Sequence, residues 1–182
     1  MAKLKIWMPE HSGVRGEYFG EGDLYMVGLY VMEFFNAVIE GSKVLDSCDY
    51  YFDPLPSSIG ERDLVCHLLA KQSRSIVANH TSAALGPGGS TVFSPKSKAV
   101  ISEIYMTAVD GDANKSRLLA NLIIHELMHN KIDARSNQDI VHRIVGGRVS
   151  KAQINASSTP NPADIAAMTL RIADKVPQHL GN

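Results

Sequence analysis

Leu118-Leu119-Ala120-Asn121-Leu122-Ile123-Ile124-His125-Glu126-Leu127-Met128-His129-Asn130 is the stretch on which the reading of this chain turns. It sits inside Lys115 to Ala134, a segment long enough for a helix of about five turns at 3.6 residues per turn. Just ahead of it, Asp110-Gly111-Asp112-Ala113-Asn114 offers capping side chains. Residues four apart on a helix project from one face, so His125 and His129 can direct two imidazoles at one point. Such a pair can hold zinc through nitrogens at about 2.0 to 2.1 Å, with Glu126 beside the metal rather than on it. A carboxylate so placed can take a proton from a zinc-activated water as it attacks a carbonyl, and then pass that proton to the leaving group. Without a metal, a buried His-Glu-His trio needs other partners to offset its desolvation, a base such as Lys131 or Arg135 for Glu126 among them.

Upstream, Ser90 to Ser94 and Ala99 to Val109 read as two strands joined through Pro95-Lys96-Ser97. Gly86-Pro87-Gly88-Gly89 is a turn, and its glycines lack the Lys-Ser/Thr ending of a phosphate loop. Ser75 to Asn79 is a shorter strand candidate, and Glu61 to Gln72 follows a helical pattern through Leu64, Leu68 and Leu69. Lys3 to Trp7 alternates as a half-buried strand closed by Pro9. Leu24 to Glu40 reads as a core helix stopped at Gly41, its aromatic and methionine side chains serving packing. Downstream the chain turns polar, Gly146-Gly147 interrupts a helical fragment, and a linker through Ser157, Ser158 and Pro160 leads to a last helix. There Asn161 is the cap, Pro162 takes the first helical position, and Asp164 stands in the first turn, where the helix dipole favours it.

The His125-Glu126-x-x-His129 stretch resembles the zincin metallopeptidases, matching their signature residue by residue over the active-site helix only. The resemblance implies an α+β, zincin-like fold: a small mixed or antiparallel sheet packed on a central active-site helix with additional helices, its edge strand lining the cleft. Residues 1–182 then form one catalytic domain, with the sheet and upper lobe in 1–112 and the active-site helix and C-terminal helical part in 113–182. It implies Zn2+ as cofactor, His125 and His129 as ligands, Glu126 as the catalytic base, and a peptide or protein substrate.

The third ligand departs from the familiar patterns. Asn130-Lys131-Ile132-Asp133-Ala134-Arg135 lacks the glycine and histidine of the metzincin extension, and no glutamate follows Glu126. His142 is the first choice, since Gln138 to His142 can return across the cleft after a turn at Ser136-Asn137. Asp139, Asp133 and Asp164 are the alternatives. Asp133, one turn beyond His129, is better suited to accept the ring N–H of a ligand histidine. Tyr105 and Arg143 are candidates for stabilising charge in the transition state. His11, His67, His80 and His179 are scattered and receive no role.

A net charge of -1 over 182 residues gives no broad electrostatic case for nucleic acid. Leu24 to Ile39, interrupted by Glu33 and Asn36, falls short of the roughly 20 apolar residues that span a bilayer, so no membrane partner is expected. The apolar part of the amino terminus is too short for a signal-peptide core, which points to the cytoplasm unless a specialised route exports the chain as a toxin-like effector. Cys48 and Cys66 read as reduced, partly buried thiols. Two other functional classes stand beside the hydrolase: a binding module stabilised by zinc without catalysis, and a metal-free interaction protein. An intact Glu126 counts against the first of these, because a structural zinc site has no use for it. The sequence is silent on oligomeric state.

Overall fold

A computed structural model describes residues 2–134, 141 and 160–179. The elements run β1 (Ala2–Trp7), α1 (Glu21–Glu40), β2 (Leu45–Tyr51), β3 (Leu64–Val65), β4 (His67–Leu69), α2 (Ile76–His80), β5 (Gly89–Ser94), β6 (Ala99–Tyr105), α3 (Lys115–Lys131), α4 (Pro162–Arg171) and β7 (Gln178–His179). The fold is mixed α+β.

Strands β2, β1 and β3 form one parallel sheet in that order, with Leu4 opposite Cys48 and Ile6 opposite both Tyr50 and Leu64. In the second sheet β6 is central. β4 and β7 pair with it in parallel, and β5 pairs with it antiparallel. The two sheets are stitched along residues 64–69, because Cys66 N–H donates to Trp7 O at 2.9 Å and Leu68 N–H to Pro9 O at 3.0 Å. The strands therefore follow one another as β2, β1, β3/β4, β6 and β5, leaving antiparallel β5 at an edge.

Parallel β1 and β2 require a crossover, and α1 supplies it. Leu24, Val27, Val31, Phe34, Phe35 and Val38 recur at three- and four-residue intervals and are buried on one side of α1. That side packs on β2 and on α3, which in turn lies against β3, β5 and β6. Gly28 keeps this packing close: a Cβ there would run into the Tyr50 ring on β2. By length and composition α1 could also cross a bilayer, but in this fold its apolar side belongs to the core. Cys48 and Cys66 are buried free thiols.

Several expectations need correction. Of the mixed or antiparallel sheet expected, the mixed form is found, in two sheets and mostly parallel, with β5/β6 the one antiparallel pair among the described residues. Residues 61–72 do not form a helix. Leu64-Val65-Cys66-His67-Leu68-Leu69 is a short run buried at every position, and such a run carries no period that separates helix from strand. Ser75 to Asn79 is not a strand. Ser75 Oγ caps α2 by accepting from Ala78 N–H at 3.0 Å, and the Glu103 carboxylate accepts from Ile76 and Val77 N–H at 2.7 and 3.1 Å. Those contacts override the strand preference of Ile76-Val77. The strand after Lys98 stops at Tyr105 and gives way to a 3-10 turn, Met106–Ala108. β2 and β7 had no counterpart in the sequence reading. The final helix matches its expectation, Asn161 Oδ1 accepting from Ala163 N–H at 2.8 Å with Pro162 next in line.

Burial of His67 is expected to make the fold acid-sensitive. The residue is 6% exposed, and its Nδ1 lies 3.0 Å from Nε2 of His11. Burial first, and then the neighbouring His11 and His179, push its pKa down to about 3. Between pH 6.5 and that value the unfolded chain binds a proton that the folded chain refuses, so this stability is complete above pH 6.5 and is lost on acidification. In urea titrations, the stability of wild type relative to His67→Gln should shrink by about 1–2 kcal/mol from pH 7.5 to pH 5. A pH-independent difference would contradict the burial account.

Candidate functional site

α3 presents two adjacent stripes. On one, His125 and His129 stand one turn apart with ring centroids 4.9 Å from each other and planes at 90°. His125 is 8% exposed, and the His129 ring has 12% of its surface accessible. Asp133, one turn further on, brings Oδ2 to 3.3 Å from His129 Nδ1 and also accepts from Val141 N–H at 2.9 Å. Asp133 thus stands where its carboxylate can accept a ring N–H of His129. An Nδ1–H held by this carboxylate leaves His129 Nε2 as the lone-pair nitrogen for a cation.

The other stripe, Glu126 and Asn130, faces the sheet. Glu126 is buried, and its Oε2 accepts from the Thr91 hydroxyl of β5 at 2.6 Å. Burial raises its pKa to about 7 against the opposing pull of the Thr91 hydrogen bond, with a further upward push from Glu103. Gly89 permits this approach of strand and helix. A Cβ there would lie 2.6 Å from Glu103 O and 3.2 Å from Glu126 Oε1, distances that backbone and carboxylate cannot both accept without a shift of β5.

Lys131 is not a partner for Glu126. Its ammonium donates to the carbonyls of Arg62 at 3.0 Å and Asp174 at 2.5 Å, joining α3 to the chain beyond α4. Tyr105 is also not at the site. β6 alternates, so Ser102 faces α3 while Glu103 and Tyr105 face the opposite side, where the Tyr105 hydroxyl donates to Glu103 at 2.5 Å. This removes it as a transition-state group. Asp164 on α4 is 8% exposed, and its Oδ1 has no hydrogen bond among the described residues. It stands in the first turn of α4 as expected, and burial lifts its pKa to about 6.

His142, Asp139, Arg135 and Arg143 lie outside the described residues. Among the described residues, no three His, Cys, Asp or Glu side chains are grouped to hold a metal. The structure thus sets His125 and His129 one turn apart with Asp133 beside His129, and holds Glu126 on the neighbouring stripe against β5. Thr91, which donates to the Glu126 carboxylate, and Ser102 and Asn130 linked behind it escaped the sequence reading. Their signal was polar residues at inward positions of apolar elements. With this geometry in hand, the class is an α+β domain carrying a His-Glu-x-x-His helix beside an antiparallel edge strand. The chain matches no protein-family model, no curated protein and no solved structure.

Proposed function

We propose that the protein is a zinc-dependent hydrolase of zincin-like fold, most simply a metallopeptidase acting on peptide or amide bonds. The observation that carries this reading is the joint placement of His125, Glu126 and His129. The two imidazoles share one stripe of α3, and the carboxylate on the next stripe is held against edge strand β5. The donor set fits zinc: two imidazoles, one with its second nitrogen on a carboxylate, are the ordinary first and second layers of such a site. His142 is the proposed third ligand, with Asp139 as its alternative.

Zinc, when bound, would acidify a water and polarise the scissile carbonyl. The protein's own part is to hold and move protons. Glu126, kept out of bulk water, accepts one proton and returns it to the leaving nitrogen. Asp133 fixes the orientation and tautomer of His129. Asp133→Asn should therefore weaken zinc affinity about 10- to 100-fold in competition with a chelating dye. Unchanged affinity would remove Asp133 from the site.

The function itself is tested on a peptide library. Cleavage should be abolished by a chelator and restored by one added equivalent of zinc. Cleavage that survives complete zinc removal would count against the reading.

A further inference from the structure

We propose that a one-way hydrogen-bond chain, from Val65 through Asn130, Ser102 and Thr91, positions the Glu126 carboxylate, with Thr91 as the positioning residue; this role rests on the hydrolase reading above.

The direction of the chain follows from its first link. A backbone N–H can only donate, and Val65 N–H lies 3.3 Å from Asn130 Oδ1. That contact fixes the Asn130 amide so that its Nδ2 hydrogens point at Ser102 Oγ, 2.6 Å away, and at Glu126 O, 3.3 Å away. Ser102 Oγ lies 2.8 Å from Thr91 Oγ1, and with the one Thr91 proton drawn to the closer carboxylate, the proton between the two hydroxyls is assigned to Ser102. Thr91 in turn has one proton, and the remaining acceptor within reach is Glu126, whose Oε2 lies at 2.6 Å and carbonyl oxygen at 3.1 Å. Each hydroxyl accepts once and donates once, and the last donation goes to the carboxylate.

The four elements involved explain the rigidity of the arrangement. Asn130 lies one turn beyond Glu126 on α3, Thr91 and Ser102 are cross-strand neighbours on β5 and β6, and Val65 belongs to β3. Glu126 is thereby tied to three strands at once. A base that must meet a proton within a fraction of an ångström gains rate from such anchoring, and a displacement of about 1 Å can cost on the order of 100-fold.

Two readouts test the chain, one of them independent of any substrate. In the isotope-labelled, metal-free protein, Glu126→Gln should shift the Asn130 side-chain proton that faces Ser102 more than the one that faces Glu126 O, and Thr91→Val should abolish that difference. Ser102→Ala breaks the same path one link earlier and serves should Thr91→Val fail to fold. In the zinc-loaded protein, with a peptide taken from the library, Thr91→Val should lower kcat about 10- to 100-fold with KM and zinc content unchanged. Thr91→Ser, which keeps the hydroxyl, should recover activity to within about threefold of wild type by the same positioning logic.

An Asn130 resonance blind to Glu126 overturns the chain even if the wild type hydrolyses peptides. So does a Thr91→Val enzyme with wild-type kcat. A wild type inert on every peptide, while Asn130 still senses Glu126, removes the hydrolase reading and the positioning role with it.

Discussion

Glu126→Gln should reduce kcat on any cleaved peptide by about 10²- to 10⁴-fold while zinc content and thermal stability hold or improve. The amide keeps the shape of the side chain and still accepts from Thr91 through its oxygen, so the packing of α3 on β5 is preserved. What disappears is the group able to take up a proton. Stability has reason to rise, because the carboxylate is buried at some cost. Zinc content and turnover together separate the hydrolase from a zinc-stabilised binding module. In the module, no peptide would be cleaved before or after the change, and zinc would stay bound.

The largest stability effect is expected on the opposite face of the sheet. Glu103 is 0% exposed, and four donors converge on its carboxylate: Ser75 Oγ, Tyr105 Oη, and the backbone N–H groups of Ile76 and Val77. Truncation to alanine strands all four in a place water does not reach. The expected cost is about 3–5 kcal/mol, read from urea denaturation, with α2 the first element to lose amide protection. A loss under about 1 kcal/mol would mean that water readily replaces the carboxylate. Because Glu103 points away from α3, the folded fraction of Glu103→Ala should keep its zinc affinity.

These two carboxylates show what the sequence could and could not disclose. Glu126 was legible because its neighbours four residues apart fix a geometry on any helix, whatever the rest of the chain does. β1, α1, β5, α3 and α4 were legible for the same reason, their periodicity and end signals being local. Glu103 was opaque. Three of its four partners come from residues 75–77, nearly thirty positions away, and they turn Ser75-Ile76-Val77 from an apparent strand into a capped helix.

The run Leu64 to Leu69 was misread for a related reason. It bridges two sheets and is buried on both faces, so the alternation that marks a strand is missing. Tyr105 looked available because an aromatic hydroxyl near the motif is a plausible electrophile, yet one residue's parity on β6 sends it to the far face. Thr91, Ser102 and Asn130 could have been noticed as polar side chains at core-facing positions. Only the pairing of β5 with β6 shows that they meet.

The most direct test is zinc stoichiometry, measured on the full chain after reconstitution and removal of free metal. Wild type should carry one equivalent, and His125→Ala should carry none. His142→Ala and Asp139→Ala, prepared identically, should differ, with the proposed ligand His142 the one whose loss empties the site. Wild-type protein that takes up no zinc would contradict the metallohydrolase reading and leave His125, Glu126 and His129 as hydrogen-bonded core residues of an α+β domain.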